Sequence, residues 1–460
     1  MTSRARKRTA SKRAARSTRS RASRKREPFR APAGFVDILP EEQKYWEVIT
    51  DVVKRVCRSF NLEQIETPLI ERRELFVRGV GAGTDIVEKE MYAVKPLRGT
   101  GQGGLVLRPE ATAAIARAYI EHGMYSLPQP VRLFYFGPYF RHDRPQAGRF
   151  RQFYQFGVEI IGERSPLIDV QVIQIAHEIL QELSLEDYRI EVSSLGTPAS
   201  RRRYVGMLRD YYRVHRRKLC AHCRRRLRAQ PLRLLDCKEE KCLMLAHNAP
   251  SILDYLDEET AAHFAQVTDA LQALAIPYAI NPRLVRGLDY YVRTVFEVVP
   301  VGREEERQSA LGGGGRYDGL IKTLGGPDVP GVGFACGVER VIAQMKAEGV
   351  SLLVRERPEV FLVQLGAQAK RRALTLFADL RRAGIRVAEA FHEDGIKEQL
   401  ALANKLRIPW ALILGQKEVL AGNIILRNMD SGVQETLDLD LAKLVPALKK
   451  RLRRDEEVLS

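Results

Sequence analysis

No uninterrupted apolar stretch in this 460-residue chain reaches the roughly 20 residues of a membrane-spanning helix, which predicts a soluble protein. The N-terminus has no apolar segment of the secretory kind. Cysteine is scarce, with 6 in the whole chain. That is too few for a disulfide scaffold at this length and fits a reducing, cytoplasmic setting. No internal repeat is visible. Residues 1–26 lack acids altogether, and they lack Leu, Ile, Val and Phe. Such a segment has no face to bury and is expected to be disordered.

Elsewhere the chain is well supplied. It is 45% hydrophobic overall, enough for two or three domains with sizeable cores. Its net charge is +18, and twelve of those charges fall in residues 1–26, from Arg4 to Arg26, so the remainder carries +6. The tail reads as a polyanion-binding arm, as a solvated extension, or as an organelle transit peptide. The last reading suffers from an apolar face made of little but Ala.

Trp46, Ile49, Val52, Val53, Val56 and Phe60 recur at helical spacing in residues 41–60, after a "DILP" that should start the helix. "QIETPLIE" (64–71) reads as a strand containing a proline, suited to a sheet edge or an interface. Residues 131–162 read as a long β-hairpin. Helix patterns cover 169–183 and most of 200–275, and strand patterns resume at 285–300. After "RERP" (355–358) strands and helices alternate in a small α/β domain of about 90 residues.

The hairpin carries unusual chemistry. On its second strand the odd positions are Arg151, Phe153, Gln155, Gly157 and Glu159. Alternation puts these five on one face and the apolar even positions on the other. A solvated sheet face is the plain reading, but Gly157 argues for close approach by a ligand or backbone. Arg141, Arg144 and Arg149 surround the hairpin loop and suit phosphate, whose oxygens match the guanidinium fork. In "LRPEAT" (107–112), Glu110 and Thr112 offer a carboxylate and a hydroxyl to an ammonium group. "GGGGRYDGL" (312–320) reads as a flexible backbone corner. "GVGFACGVERV" (331–341) reads as a strand–helix junction with Arg340 near its end.

Cys220, Cys223, Cys237 and Cys242 form C-x2-C-x13-C-x4-C. Four thiolates at this spacing could hold a structural Zn²⁺ tetrahedrally, or they are reduced structural cysteines. No metal site is assigned to them from sequence. "VRGLDYY" (285–291) precedes a β-branched run. Strand parity would send Arg286 and Tyr291 to opposite faces, unless a turn at Gly287 redirects Arg286.

Together these segments resemble class II aminoacyl-tRNA synthetases, and within them the histidyl-tRNA synthetases, over roughly residues 31–445. "IETPLIE" around Pro68 resembles class II motif 1, the hairpin motif 2, and "GFACGVERV" motif 3. "LVRGLDYY…TVFE" and "ALGGGGRYDGL" resemble the two histidine-specific motifs. The resemblance implies an α+β fold: an antiparallel sheet flanked by helices, a helical insertion at about 198–275, and a C-terminal α/β anticodon-binding domain. The expected organisation is a tail over 1–30, a catalytic domain over 31–355, the anticodon-binding domain over 356–450, and a short tail over 451–460.

The resemblance also implies a reaction. L-histidine would be activated with ATP to histidyl-adenylate, releasing pyrophosphate, and then transferred to the 3′ end of tRNA(His). Arg141 would contact the α-phosphate and Arg149 the terminal phosphate, with Phe153 and Arg340 sandwiching the adenine. Glu110, Thr112 and Gln155 would hold the histidine ammonium. Glu159 and Tyr291 would read the two imidazole nitrogens, with Tyr290 lining the same pocket. Gln146 and Arg151 would face the tRNA acceptor end. Arg286 and Arg141 would neutralise the two reacting anions, and Mg²⁺ would bridge the ATP phosphates. No residue is an obvious general base. A homodimer is implied around Pro68, with no membrane partner.

Three departures stand out. Ala111 replaces the Gly usual in "RPE-T", "PAGFVDILP" differs from the usual "GT-D" form, and residues 1–26 extend beyond the resemblance. Two other classes of protein compete with the ligase. A non-catalytic, histidine-sensing synthetase paralogue would typically lack the C-terminal domain and degrade these motifs. An RNA-binding regulator would keep RNA affinity while losing ATP binding.

Overall fold

Pro40 opens the first helix among the described residues, α1 (Pro40–Ser59), at a position where its missing N–H costs nothing. Trp46, Ile49, Val52, Val53 and Val56 are buried along one side of α1, as their spacing predicts. The computed structural model describes residues 29–95, 104–143, 148–301, 310–352 and 358–459, with side chains as far as 452. The basic segment 1–26 and Gln146 lie outside the described residues. The chain divides into two compact units, Met1–Leu352 and Leu353–Ser460.

The stretch after α1 differs from expectation. Instead of one strand over 64–71 there are two short ones, β1 (Glu63–Gln64) and β2 (Ile70–Arg72). Pro68 lies between them, where it can donate no ladder hydrogen bond. β2 joins β3 (Ala93–Val94) and β4 (Leu105–Leu107) in a small sheet.

The hairpin forms as expected. β5 (Val131–Phe140) and β6 (Gln152–Ile161) pair from Val131↔Ile161 to Phe140↔Gln152. It belongs to an eight-stranded sheet ordered β1-β5-β6-β11-β10-β9-β7-β8. The other members are β7 (Tyr188–Ser194), β8 (Tyr278–Ile280), β9 (Val292–Pro300), β10 (Gly312–Arg316) and β11 (Gly331–Gly337). The pairings are antiparallel except for a parallel pair at each edge, β1 with β5 and β7 with β8.

Alternation divides the two faces. Phe156, Val158 and Ile160 of β6 pack with Trp46, Ile49 and Val53 of α1. Ile173, Ile175 and Ile179 of a second helix, α2 (Pro166–Glu182), join the same core. Tyr135 and Tyr139 of β5 point the other way and cluster with Tyr119, Tyr317 and Ile321. That second face carries the site described below.

β10 is the main correction. The glycine run is not a flexible corner but a strand inside the sheet, between β9 and β11. Side chains from neighbouring segments occupy the space its own would need. A Cβ at Gly313 would come within 2.6 Å of Arg286 Nη1, and one at Gly314 within 2.7 Å of Phe334 Cβ. The ladder is irregular between Gly315 and Arg316, which face Val295 and Val292 of β9. Arg293 in the skipped stretch takes φ 51°. This is a bulge of the kind that re-aims side chains beside sites.

The insertion consists of short helices, among them α3 (Pro198–Val214), α4 (Ala221–Ala229), α5 (Glu240–His247) and α6 (Glu258–Ala273). In the second unit, β12 (Val360–Gln364), β13 (Val387–Glu389), β14 (Trp410–Leu414), β15 (Asn423–Asn428) and β16 (Gln434–Asp438) form a sheet ordered β13-β12-β14-β15-β16. One face packs on Ala373, Leu376 and Leu380 from a helix over Ala367–Arg382, and on Leu444 and Leu448 from one over Leu441–Leu459. The polar edge strand β16 carries no pattern that sequence reading would select.

One buried ion pair ties the first unit together. Arg316 at the end of β10 donates from Nε to Asp169 Oδ1 at 2.9 Å, and to the carbonyls of Glu163 and Ser165 at 2.9 and 3.1 Å. Asp169 also meets His263 Nε2 at 2.8 Å. Burial raises the Asp169 carboxyl, but His263 and Arg316 outweigh it and hold the group below its ordinary value. Removing one partner leaves a buried, unpaired charge. Arg316→Leu is therefore expected to cost about 3–5 kcal/mol in urea unfolding. A loss under about 1 kcal/mol would contradict this role for the pair.

Candidate active site

Segments distant in sequence converge on a cavity of about 730 Å³ in the first unit. Glu110, Thr112, Arg141, Arg149, Phe153, Gln155, Arg286, Tyr290, Tyr291 and Arg340 all line it. β6 delivers Phe153 and Gln155 by alternation. The bend 285–291 delivers Arg286 and both tyrosines.

The arginines form one end. Arg141 donates from Nε to the Pro109 carbonyl at 2.9 Å and lies 5.3 Å from the Phe153 ring centre. Arg149 pairs with Asp143 at 2.8 Å. Arg340 donates to the Ala310 carbonyl at 2.8 Å. Burial, together with repulsion from Arg149 and Arg141, brings the Arg340 guanidinium down to about 10. Arg286 pairs with Glu297 and stands 5.6 Å over the Tyr291 ring. Burial works against its charge, but Glu297 and Tyr291 more than offset that and hold its pKa up. Nε of Arg149 and Nε of Arg286 are buried without a hydrogen-bond partner. Buried donors left unmade are costly, and an anion placed here could accept from them.

Carboxylates and tyrosines form the other end. Glu110 accepts from the N–H groups of Thr112 and Ala113 at 2.8 and 2.9 Å, capping the helix Thr112–Glu121. Burial nevertheless raises its carboxyl above the ordinary value. Thr112 donates its hydroxyl to Glu159 at 2.7 Å, and Tyr317 donates to the other Glu159 oxygen. Burial pushes the Glu159 carboxyl up to about 8, with the two hydrogen bonds pulling it back and Glu110 adding to the rise.

Two expected site residues stand apart. Glu159 is 1% exposed and does not line the cavity. It lies a layer beneath, against Thr112, Tyr317 and Gly333. Arg151 turns outward, with Nε donating to the Asp143 carbonyl at 3.3 Å and Nη1 to the Ala33 carbonyl at 3.2 Å. Ala111, the substituted position, is buried in the cavity wall.

The turn expected at Gly287 is present, with the chain bending over residues 287–290, and it resolves the parity conflict. Residues 285–291 are not extended, and the strand begins at Val292. Gly287 does not adopt a left-handed φ; a Cβ there would lie 3.5 Å from Arg233 Nη2. Arg286 and Tyr291 meet on the same side because both pack over β10, at Gly313 and Gly315.

Sequence reading missed Tyr135, Glu297 and Glu339, which also line the cavity. Glu339 accepts from the Tyr154 N–H at 2.9 Å, and burial raises it to about 7. Glu297 pairs in register with Gly313, so a carboxylate opposite a glycine was the available signal. Tyr317, which caps Glu159, stood in the glycine motif.

Residues 34–341 match a family profile described as Histidyl-tRNA synthetase, and residues 359–451 one described as Anticodon binding domain. A Histidine--tRNA ligase from Dehalococcoides mccartyi is 45% identical over 424 residues, 92% of this chain and 100% of the relative. One from Desulforudis audaxviator is 45% identical over 92% of this chain and 98% of the relative. Among solved structures, apo S. aureus histidyl-tRNA synthetase superposes with TM-score 0.75 at 35% identity, covering 92% of this chain and 100% of that one.

Glu159 sets a pH dependence. Its folded carboxyl keeps a proton to about pH 8, while an ordinary one loses it near 4.5. Its contribution to stability is full below the lower value and is lost as pH rises towards the upper one. Glu159→Gln is expected to flatten that decline in urea midpoints taken between pH about 5 and 8. Identical pH dependence in variant and parent would contradict the shift.

Proposed function

The chain belongs to the histidyl-tRNA synthetase family, and from that premise we propose how its pocket performs histidine–tRNA ligation. The protein is a histidine–tRNA ligase. It activates L-histidine with ATP to histidyl-adenylate and pyrophosphate, then transfers histidine to the 3′ end of tRNA(His). One observation carries the assignment of roles: the arginine end and the carboxylate–tyrosine end share a single cavity.

In the first step the histidine carboxylate attacks the α-phosphorus of ATP. Two anions must approach, so the cost of bringing them together is mainly electrostatic. Arg286 and Arg141 would offset it, and donors already fixed in a buried site need no reorganisation. Arg149 would hold the terminal phosphate, and Phe153 and Arg340 the adenine. Mg²⁺ would screen the phosphates when bound.

At the other end Glu110, Thr112 and Gln155 would hold the ammonium group. Glu110 Oε1 accepts the Ala113 N–H alone, while Oε2 accepts from the Thr112 N–H and from the Tyr290 hydroxyl at 3.4 Å, which leaves a lone pair on Oε1 for the substrate. Glu159, with Tyr291 and Tyr290, would read the imidazole, and a site with partners for both ring nitrogens rejects analogues that leave them unpaired. Because Glu159 lies beneath the wall, the ring would have to displace its Thr112 or Tyr317 partner. Gln146 and Arg151 would face the tRNA acceptor end, which the outward turn of Arg151 supports. The second unit would bind the anticodon. Exposed Leu69 and Ile70 beside Pro68 support a homodimer face. No helix among the described residues is long and apolar enough to cross a membrane, and a cytoplasmic setting is the proposed location.

Histidine-dependent ATP–pyrophosphate exchange, followed by tRNA charging, tests the assignment. Arg286→Ala is expected to lower the exchange kcat about 100-fold with little change in histidine KM. Tyr291→Phe is expected to raise histidine KM about tenfold with kcat nearly kept. The same kinetic loss in both variants would refute the division of labour.

A further inference from the structure

Cys220, Cys223, Cys237 and Cys242 converge in the insertion, although 22 positions separate the first from the last. Their sulfur atoms all lie within 4.8 Å of one another. All four cysteines are between 0 and 9% exposed. Cys220 Sγ lies 3.9 Å from Cys237 Sγ. Sulfurs at the corners of a tetrahedron with Zn–S bonds of about 2.3 Å are separated by roughly 3.8 Å. A disulfide would need about 2.05 Å, so the four are spaced for a shared ion rather than for covalent pairs.

The backbone is arranged to match. The Cys223 N–H donates to Cys220 Sγ, and the Cys220 N–H to Cys242 Sγ, each at 3.3 Å. Such donors favour a negatively charged sulfur. Cations are also close: Arg233, Lys238 and Arg226 surround Asp236, beside Cys237, and could balance the double negative charge of a tetrathiolate–Zn²⁺ centre. His222 and His247 do not join the cluster.

The helices that carry the cluster are short. α4 is nine residues long and carries Arg224, Arg225, Arg226 and Arg228, and α5 is eight residues long. Helices this short are not stable alone. The core they share joins Leu208, Tyr212, Leu227 and Leu234 to the four cysteines themselves.

We propose that Cys220, Cys223, Cys237 and Cys242 bind one structural Zn²⁺, and that this centre braces the wall of the active-site cavity. The same core includes Leu284, Tyr291 and Val295. Arg233, from the turn between Cys223 and Cys237, donates to the Gly287 carbonyl at 3.1 Å. Cys220 and Cys237 themselves line the cavity. The ion therefore holds the bend that presents Arg286 and Tyr291. The bracing role rests on the histidine-binding reading above, whereas the metal content does not.

Full-length protein purified without chelator should contain about one zinc per chain by elemental analysis. Titrating its thiols with a mercurial should release that zinc in step with modification of the four buried cysteines. Cys223→Ser and Cys242→Ser should lose the metal, and a Co²⁺-loaded parent should show the visible absorption of a tetrahedral thiolate site. Metal-free protein, iron in place of zinc, disulfides found after alkylation and mass analysis, or zinc not released by the mercurial would each overturn the site. The bracing role predicts that stripping the metal raises histidine KM several-fold more than it lowers kcat. A histidine KM unchanged by metal removal would overturn it.

Discussion

The site depends on a strand whose first four residues have no side chains. β10 runs inside the main sheet, where each residue would ordinarily project a side chain onto one face or the other. Gly312 to Gly315 project none, and neighbouring segments use the space. Arg286 lies over Gly313, Tyr291 over Gly315, and Phe334 beside Gly314. A bend with no regular structure can therefore lie flat against the sheet and present two functional side chains together. Glycine in a strand gives up conformational entropy and packing. Arg316, the next residue, restores order by tying the end of that strand to Asp169 and, through it, to His263.

Charge is arranged around that surface in two opposed groups. Arg141, Arg149, Arg286 and Arg340 line one cavity, where burial and then repulsion from Arg149 and Arg141 bring the Arg340 guanidinium down, and two Nε donors are left unpaired. At the other end burial holds the Glu110 and Glu159 carboxyls above their ordinary values. Under the roles proposed above, the phosphates of ATP would meet the arginines and the nitrogens of histidine the carboxyls, which would link the electrostatics of the pocket to the activity of the family.

Much of this was legible in the sequence because it rests on period and spacing. The period-2 alternation of residues 152–161 separated Phe153, Gln155 and Glu159 from the packing residues Phe156, Val158 and Ile160. Helical spacing identified the buried side of α1, and the cysteine spacing picked out a cluster that the fold closes. Other features were not legible. A run of four glycines has no side chains to show a period, so it read as a turn. Tyr135, Tyr317 and Glu297 carry single polar groups within strands or turns, and only their three-dimensional partners reveal them. Alternation gave the face of Glu159 but not its depth, because depth depends on Thr112 and Tyr317 closing over it. Arg151 shares that parity yet turns outward, because it precedes the first residue of the strand and finds the carbonyls of Ala33 and Asp143.

The glycine strand can be tested directly. In Gly313→Ala the added carbon would lie 2.6 Å from Arg286 Nη1 and equally close to the Phe296 carbonyl oxygen, and the arginine side chain is the group free to give way. In protein whose circular dichroism is unchanged, single-turnover measurement should show histidyl-adenylate formation slowed about 100-fold, as expected when a reacting group is displaced by roughly 1 Å. Histidine affinity, measured by equilibrium dialysis, should change far less. Adenylate formation at the parent rate in this variant would contradict the claim that the glycine run seats Arg286 for its proposed role.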